Sequence, residues 1–296
     1  MEKTARAALE GSLSETVRAL KIQSLESRLT SLEMAYKAGK GHIPPDFSCM
    51  DIMTVLFFRV LRLNPQDPNW PLRDRFVLSK GHAVGALYVS LAARGFFPTE
   101  WLWTYQELHS RLPGHPDRNS VPGIEHNTGS LGHGLPVAAG MAAGLRLTVG
   151  DGPGSPRVYV LLGDGELQEG SNWEAAMAAA HQRLSRLVAV VDRNGLQQGD
   201  FTEATVRLED LAAKWKSFGW TVQECDGHDI EALINALDVD PRPGDPPRVV
   251  IARTVKGKGA SMMENHPAWH HRIPNAEEYA QAKRELSEAL KALRSV

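Results

Sequence analysis

The sequence predicts an α/β fold: a doubly wound, mostly parallel sheet flanked by helices, forming a single domain over residues 1–296. Three observations predict it. Two apolar, β-branched runs, Val158 to Leu162 and Val188 to Val191, each end in polar residues and glycine, as Gly163, Asp164 and Gly165 and as Asp192, Arg193, Asn194 and Gly195. Such runs belong to strands buried on both faces, and parallel strands deliver polar residues to a site at the sheet's carboxyl edge. Between them Ser171 to Glu174 reads as a capping box opening an Ala-rich helix, and helical and strand-like stretches alternate through the rest of the chain.

From about residue 12 to 38, Val17, Leu20, Ile22, Leu25, Leu29 and Leu32 recur at helical spacing among charges, and Gly39 to Gly41 ends the helix. Residues 41–48 hold too many glycines and prolines for a helix, which leaves His42 in a constrained loop. Cys49 to Leu61 then reads as an apolar helix with Ser48 as N-cap. Phe76 to Ser79 is a brief strand that delivers Lys80, Gly81 and His82, followed by helix from Ala83 to Arg94. A Trp- and Tyr-bearing helix is expected near Thr99 to Leu108, and His115 lies in a Pro/Gly loop of the kind that often carries function.

Gly129 to Gly134 leads into a small-residue helix from Leu135 to Val149, and Gly150 to Pro156 is a surface loop. Beyond the central unit, helix is expected over Leu208 to Phe218, strand over Trp220 to Glu224, helix over Asp229 to Leu237 and strand over Arg248 to Ala252. Lys256, Gly257, Lys258 and Gly259, then Trp269, His270 and His271, lie in a loop without periodicity. A polar helix from about 275 to 294 closes the pattern.

Composition bounds the partners. Lys plus Arg number 33 against 35 Asp plus Glu, so no bulk charge attracts nucleic acid or an anionic membrane. The N-terminus lacks a basic-then-apolar leader and no apolar run nears the ~20 residues of a membrane span, so a cytoplasmic protein is expected. Cys49 and Cys225 lie far apart, which fits a reducing compartment and offers no zinc spacing.

A hard divalent cation bound with a diphosphate takes one or two protein carboxylates and further oxygens. Asp164 offers a carboxylate and Asn194 an amide oxygen, while the flanking glycines let the backbone approach phosphate beside a helix N-terminus. Gly-Asp-Gly followed thirty residues later by Asn is similar to the signature of thiamine-diphosphate enzymes. That resemblance implies Mg²⁺, or Ca²⁺ or Mn²⁺ in its place, held by Asp164, Asn194 and the carbonyl of Leu196.

The order Gly-His, Lys-Gly-His, Pro-Gly-His-Pro, Gly-Ser-Leu-Gly-x-Gly, Gly-Asp-Gly, Asn, Gly-Lys-Gly and Trp-His resembles transketolase from about Gly41 to His270. It implies that His42 and His270 lie at the substrate, that His82 nears thiamine diphosphate and that His115 touches sugar hydroxyls. The cofactor set it implies is His82, Gly132, Gly163, Asp164, Gly165, Glu166, Asn194, Lys256 and His270. Glu169 matches a buried interface glutamate of a proton relay between two active sites; as a residue it is also simply a carboxylate favoured at a helix start. His126, His181 and His228 match nothing and read as structural, and Lys256 and Lys258 also read as solvated loop charges. Pro44, Pro45, Asp46 and Phe47 replace a small Gly/Ser-rich turn, and His133 stands where glutamine is common, so the substrate is expected to depart from standard sugar phosphates.

The function so implied is that of the N-terminal subunit of a two-chain transketolase, passing a two-carbon ketol unit from a ketose (phosphate) donor to an aldose. Only one helix's worth of residues follows the Trp-His region. A companion C-terminal subunit is therefore expected to bring the pyrimidine-binding domain and its catalytic glutamate, in an assembly of two copies of each chain. Rival readings are a 2-oxo-acid-dehydrogenase-like subunit passing the unit to a lipoyl or carrier-bound acceptor, and a non-catalytic cofactor- or nucleotide-binding regulatory homologue.

Overall fold

The computed structural model describes residues 12–295; the first eleven residues and the last one of the expected domain, including the stretch read for a leader, lie outside them. Five strands form one parallel sheet: β1 (Arg75–Leu78), β2 (Val158–Gly163), β3 (Leu187–Arg193), β6 (Thr221–Asp226) and β7 (Arg248–Arg253), in the spatial order β1-β2-β3-β7-β6. A two-stranded ribbon, β4 (Leu196–Gln197) and β5 (Asp200–Phe201), follows β3 directly. Register places Gly163 beside Asp192, Asp192 beside Ala252 and Cys225 beside Ala252, so the residues after them leave the sheet at one level.

Successive strand side chains point to opposite faces, and two cores result. One packs Phe76, Leu78, Tyr159, Leu161, Val188 and Val190 under α2 (Ile43–Val55), α3 (Val84–Ala93) and α8 (Ile230–Leu237). The other packs Val77, Val160, Leu162, Ala189, Val191 and Ile251 under α4 (Gly134–Thr148), α5 (Gly170–His181) and α7 (Leu211–Ser217). The chain steps outward from β2 through β3 to β6 and then back to β7, and α8 accordingly lies on the face opposite α5 and α7, as right-handed crossovers require. A smaller cluster joins α1 (Leu13–Ala38) and α9 (Ala276–Arg294) to the loop bearing Met263 and Trp269. Both long helices open with capping boxes, at Ser12 with Glu15 and at Asn275 with Glu278. No described helix is long and apolar enough to cross a membrane.

Three local expectations are corrected. Helix α2 starts at Ile43, immediately after His42, and runs through both prolines and Ser48 into a π-helical turn, Leu56–Val60. Prolines are tolerated in a first turn because the N–H they lack would find no intrahelical acceptor there. Ser171 to Glu174 is not a capping box: Gly165–Gln168 forms a 3₁₀ turn, α5 begins at Gly170, and Ser171 Oγ donates to the Gly132 carbonyl at 2.7 Å. Thr99–Thr104 is a short 3₁₀ helix, and the chain after it is turn.

Candidate active site at the carboxyl edge of the sheet

The floor of the edge is an ion pair. Lys80, just past β1, pairs its ammonium with Asp192 at the end of β3, and both side chains are fully enclosed. Lys80 Nζ also donates to the Pro45 carbonyl at 3.1 Å; Ser48 Oγ lies 2.5 Å from Asp192 Oδ2 and the Thr254 hydroxyl donates to Oδ1. Burial opposes ionisation of Asp192, but the Lys80 charge and these donors hold its carboxyl below the usual range. Four segments are thus tied at one point, and breaking the pair from one side costs about 3–5 kcal/mol because a buried charge is left alone. The partners are 112 residues apart in sequence, and neither is among the site residues expected from the sequence. The available signal was a lysine closing an otherwise apolar strand.

Next to the floor lies a set of hard oxygens. Asp164 Oδ1 accepts from Gly165 N at 2.8 Å, and Oδ2 accepts from Gly195 N at 2.6 Å and from Arg193 Nη1 at 3.0 Å. Asn194 Oδ1 accepts from Leu196 N at 3.0 Å, so Asp164, Asn194 and Leu196 are brought together by one turn between β3 and β4. Burial, then the neighbouring Asp192, raises the Asp164 pKa against the pull of Gly195 and Arg193. Such a carboxylate gains from an added cation, and carboxylate, amide and carbonyl oxygens are the donor chemistry of Mg²⁺ and Ca²⁺. A Cβ on Gly165 would sit 2.6 Å from Gln197 Cβ, which leaves glycine as the residue that fits.

Above this turn the 129–134 loop is clamped from below. Glu166 accepts from the Ser79 hydroxyl, from Gly132 N at 2.9 Å and from Gly163 N at 3.0 Å, and Gly134 N donates to Ser79 Oγ at 3.1 Å. Both Glu166 oxygens are therefore taken by the chain itself, and burial raises its pKa against those bonds. Gly132 has φ +86° and a Cβ there would meet Glu169 Cβ at 2.6 Å. Glu169 itself is exposed at the start of α5.

Three imidazoles close the site. The ring of His42 is 5.5 Å from those of His82 and His270, and His82 is 5.3 Å from His270, centroid to centroid. Burial, then neighbouring positive or imidazole groups, lowers the pKa of His42 to about 4, that of His270 to about 3 and that of His82 well below the ordinary value. All three are uncharged near neutrality. His42 Nδ1 is buried without a hydrogen-bond partner among the described residues, the kind of orphan that a bound group satisfies. Lys256 is no solvated loop charge: it is buried, its Nζ is 2.7 Å from His270 Nδ1, and burial followed by repulsion from Lys80 lowers its pKa to about 8. Asp164 and Asp192 are the anions that Lys256 feels, which links the imidazole cluster to the oxygen set. His115 stands exposed beside Gly129 on the rim, and His133 is exposed with Nδ1 turned to the Leu131 carbonyl.

Residues 20–291 match the family described as transketolase, thiamine diphosphate binding domain. The chain belongs to the transketolase family. It is 45% identical over 277 residues to an apulose-4-phosphate transketolase subunit of Phocaeicola vulgatus, covering 94% of this chain and 97% of that one. It is 40% identical to the 6-deoxy-6-sulfo-D-fructose transketolase subunit of a Clostridium species, covering 88% of this chain and 93% of that one. The Campylobacter jejuni transketolase structure superposes with a TM-score of 0.84 at 32% identity, covering 90% of this chain but 42% of that one. These two relatives, matched along nearly their whole length, are named as transketolase subunits, and this chain carries the family's thiamine-diphosphate-binding domain.

Proposed function

We propose that the chain works as one half of a two-chain transketolase, moving a two-carbon ketol unit from a ketose to an aldose acceptor. The observation that supports this best is the meeting, at one sheet edge, of a hard-oxygen set with a cluster of uncharged imidazoles. Asp164, Asn194 and the Leu196 carbonyl would hold a divalent cation, and Gly132, Gly163 and Gly165 would let the backbone approach a diphosphate. Thiamine diphosphate, when bound, supplies the nucleophilic carbon and the electron sink that the transfer needs.

The chain's own part is orientation and proton handling. His42 and His270 are uncharged at neutral pH, so each keeps a ring nitrogen with which to hydrogen-bond a substrate hydroxyl or alkoxide oxygen. For either to take a proton, negative charge developing on the substrate side would have to offset its lowered basicity. His82 and Lys256 border the same space, and His115 on the rim would meet sugar hydroxyls farther out. Glu166 acts as a brace beneath the glycine loop, and Glu169 would meet its counterpart in an assembly of two copies of each chain. The two relatives' names specify sugars that end in a phosphate and in a sulfo group. The substrate proposed here is accordingly a ketose with an anionic terminus. Free cysteines, Cys49 and Cys225, support a reducing, cytoplasmic setting.

The test mixes this chain with the product of a neighbouring reading frame resembling the remaining part of transketolase. Mass measurement and a ketol-transfer assay on anionic ketoses should show activity only in a mixed heterotetramer; full activity from this chain alone would refute the divided-enzyme reading.

A further inference from the structure

We infer that His228 is a positioning residue for the Lys256–His270 pair, acting through a hydrogen bond to the backbone amide of Val255. The kinetic part of this inference rests on the function proposed above; the geometric part does not.

His228 follows β6 and touches neither the oxygen set nor the imidazole cluster. Its Nε2 accepts from Val255 N at 2.8 Å, and its Nδ1 lies 2.7 Å from Asp51 Oδ2. An imidazole nitrogen that accepts an N–H carries no proton, so the other nitrogen must be the donor, and the ring is the neutral Nδ1–H tautomer. Both nitrogens are spent inside the fold. Asp51 is in turn fixed by Arg28, at 2.7 and 3.1 Å, and by Ser24 at 2.5 Å, all within the packing of α1 on α2. Burial works against the charged form of Asp51, yet the Arg28 guanidinium and the His228 bond hold its carboxyl well below the ordinary range. The acceptor that aims the ring is therefore a permanent anion.

The amide that His228 holds is one residue before Lys256. Around it the chain is gripped on every side: Thr254 N donates to the Arg193 carbonyl at 3.1 Å, Gly227 N to the Arg253 carbonyl at 2.7 Å and Gly257 N to the Pro44 carbonyl at 3.1 Å. A Cβ on Gly227 would lie 2.4 Å from Thr254 Cγ2, so the His228 turn sits directly on the end of β7. Lys256 leaves this frame to reach His270, facing Lys80, Asp164 and Asp192. A reacting group displaced by about 1 Å costs on the order of 100-fold in rate, so the bond that sets the Lys256 backbone is one through which a residue outside the site acts on turnover.

Two substitutions separate positioning from simple structural support. His228→Asn keeps a donor near Asp51 but is too short to reach Val255; His228→Gln restores an acceptor at the Nε2 position. Lys256 is read in the full chain, without cofactor, by competitive amine acetylation against pH and peptide mass spectrometry. Expected is a Lys256 midpoint near that of the wild type in the Gln variant, and in the Asn variant a rise from about 8 toward an ordinary lysine value of ~10.4. With the companion chain, the Asn variant should lose roughly 100-fold in kcat with KM little changed, and Gln should recover most of it. An unchanged Lys256 midpoint in folded His228→Asn overturns the inference, as does a shift of equal size in both variants. Should His228→Asn not fold, Val255→Pro removes the same bond from its donor side and decides by the same criterion. If no form transfers ketol units, the transketolase reading fails, and the acetylation midpoints still decide the role of His228.

Discussion

Arg193 Nη1 lies 3.0 Å from Asp164 Oδ2 and 2.8 Å from Thr202 Oγ1, while Nη2 reaches Glu203 Oε1 at 2.9 Å. A guanidinium therefore rests on the carboxylate proposed for the metal ion and competes with it. Arg193→Met should tighten Mg²⁺ binding about tenfold, the equivalent of ~1.4 kcal/mol, because no ion pair has to be released. Calorimetric titration of the metal in the presence of thiamine diphosphate checks this; an unchanged or weaker affinity would show that the two cations do not compete.

His270→Ala should leave cofactor affinity within about threefold of the wild type and lower kcat by roughly 100-fold or more, since an imidazole that handles protons acts mainly in the transition state. Equilibrium binding and steady-state assays on the mixed complex separate the two effects. Wild-type turnover in this variant would make His270 a bystander.

Stability should depend on the imidazoles with a definite sign. His42 and His270 titrate at about 4 and about 3 in the fold, against ~6.5 in an unfolded chain, so between those values the unfolded chain binds more protons. Their contribution is complete above pH ~6.5 and is lost as pH falls through the folded values. Asp46 works the other way, because burial raises its pKa to about 7 and its proton is kept by the fold. Comparing the wild type with the double variant His42→Asn and His270→Asn cancels the Asp46 effect. Urea unfolding at pH 7 and pH 5 should show a smaller loss in the double variant; equal losses would contradict the assignment.

Gly81→Ala places a Cβ 2.8 Å from Gly129 N and 2.9 Å from the Thr128 carbonyl carbon, a backbone that has no rotamer with which to move away. The change should cost about 1–3 kcal/mol, as overpacking does. Thermal unfolding measures it, and a variant as stable as the wild type would mean that the two loops part without cost.

The strands around Asp164 and Asn194 were legible because strands buried on both faces must be apolar throughout, and because glycines beside a lone aspartate mark a backbone built for close approach. The start of α2 was not legible, since two adjacent prolines read as a break unless the helix is known to begin at Ile43. Long-range partners escaped for a different reason. Lys80 with Asp192, Ser171 with Gly132, and His228 with Asp51 and Val255 are chosen by sheet order and register, which no local pattern encodes. Lys256 had two readings in sequence because the same Gly-Lys-Gly suits a solvated loop; only its burial beside His270 separates them.

The proposed function depends most directly on Asp164 and Asn194 as the oxygen donors that would hold a divalent cation beside the diphosphate. Titrating thiamine diphosphate with Mg²⁺ into the mixed complex, for wild type, Asp164→Ala and Asn194→Ala, reads that claim without any turnover. Both variants should stay folded and lose Mg²⁺-dependent cofactor binding by at least about 100-fold, each having lost a metal oxygen. Wild-type affinity in either variant would contradict the claim.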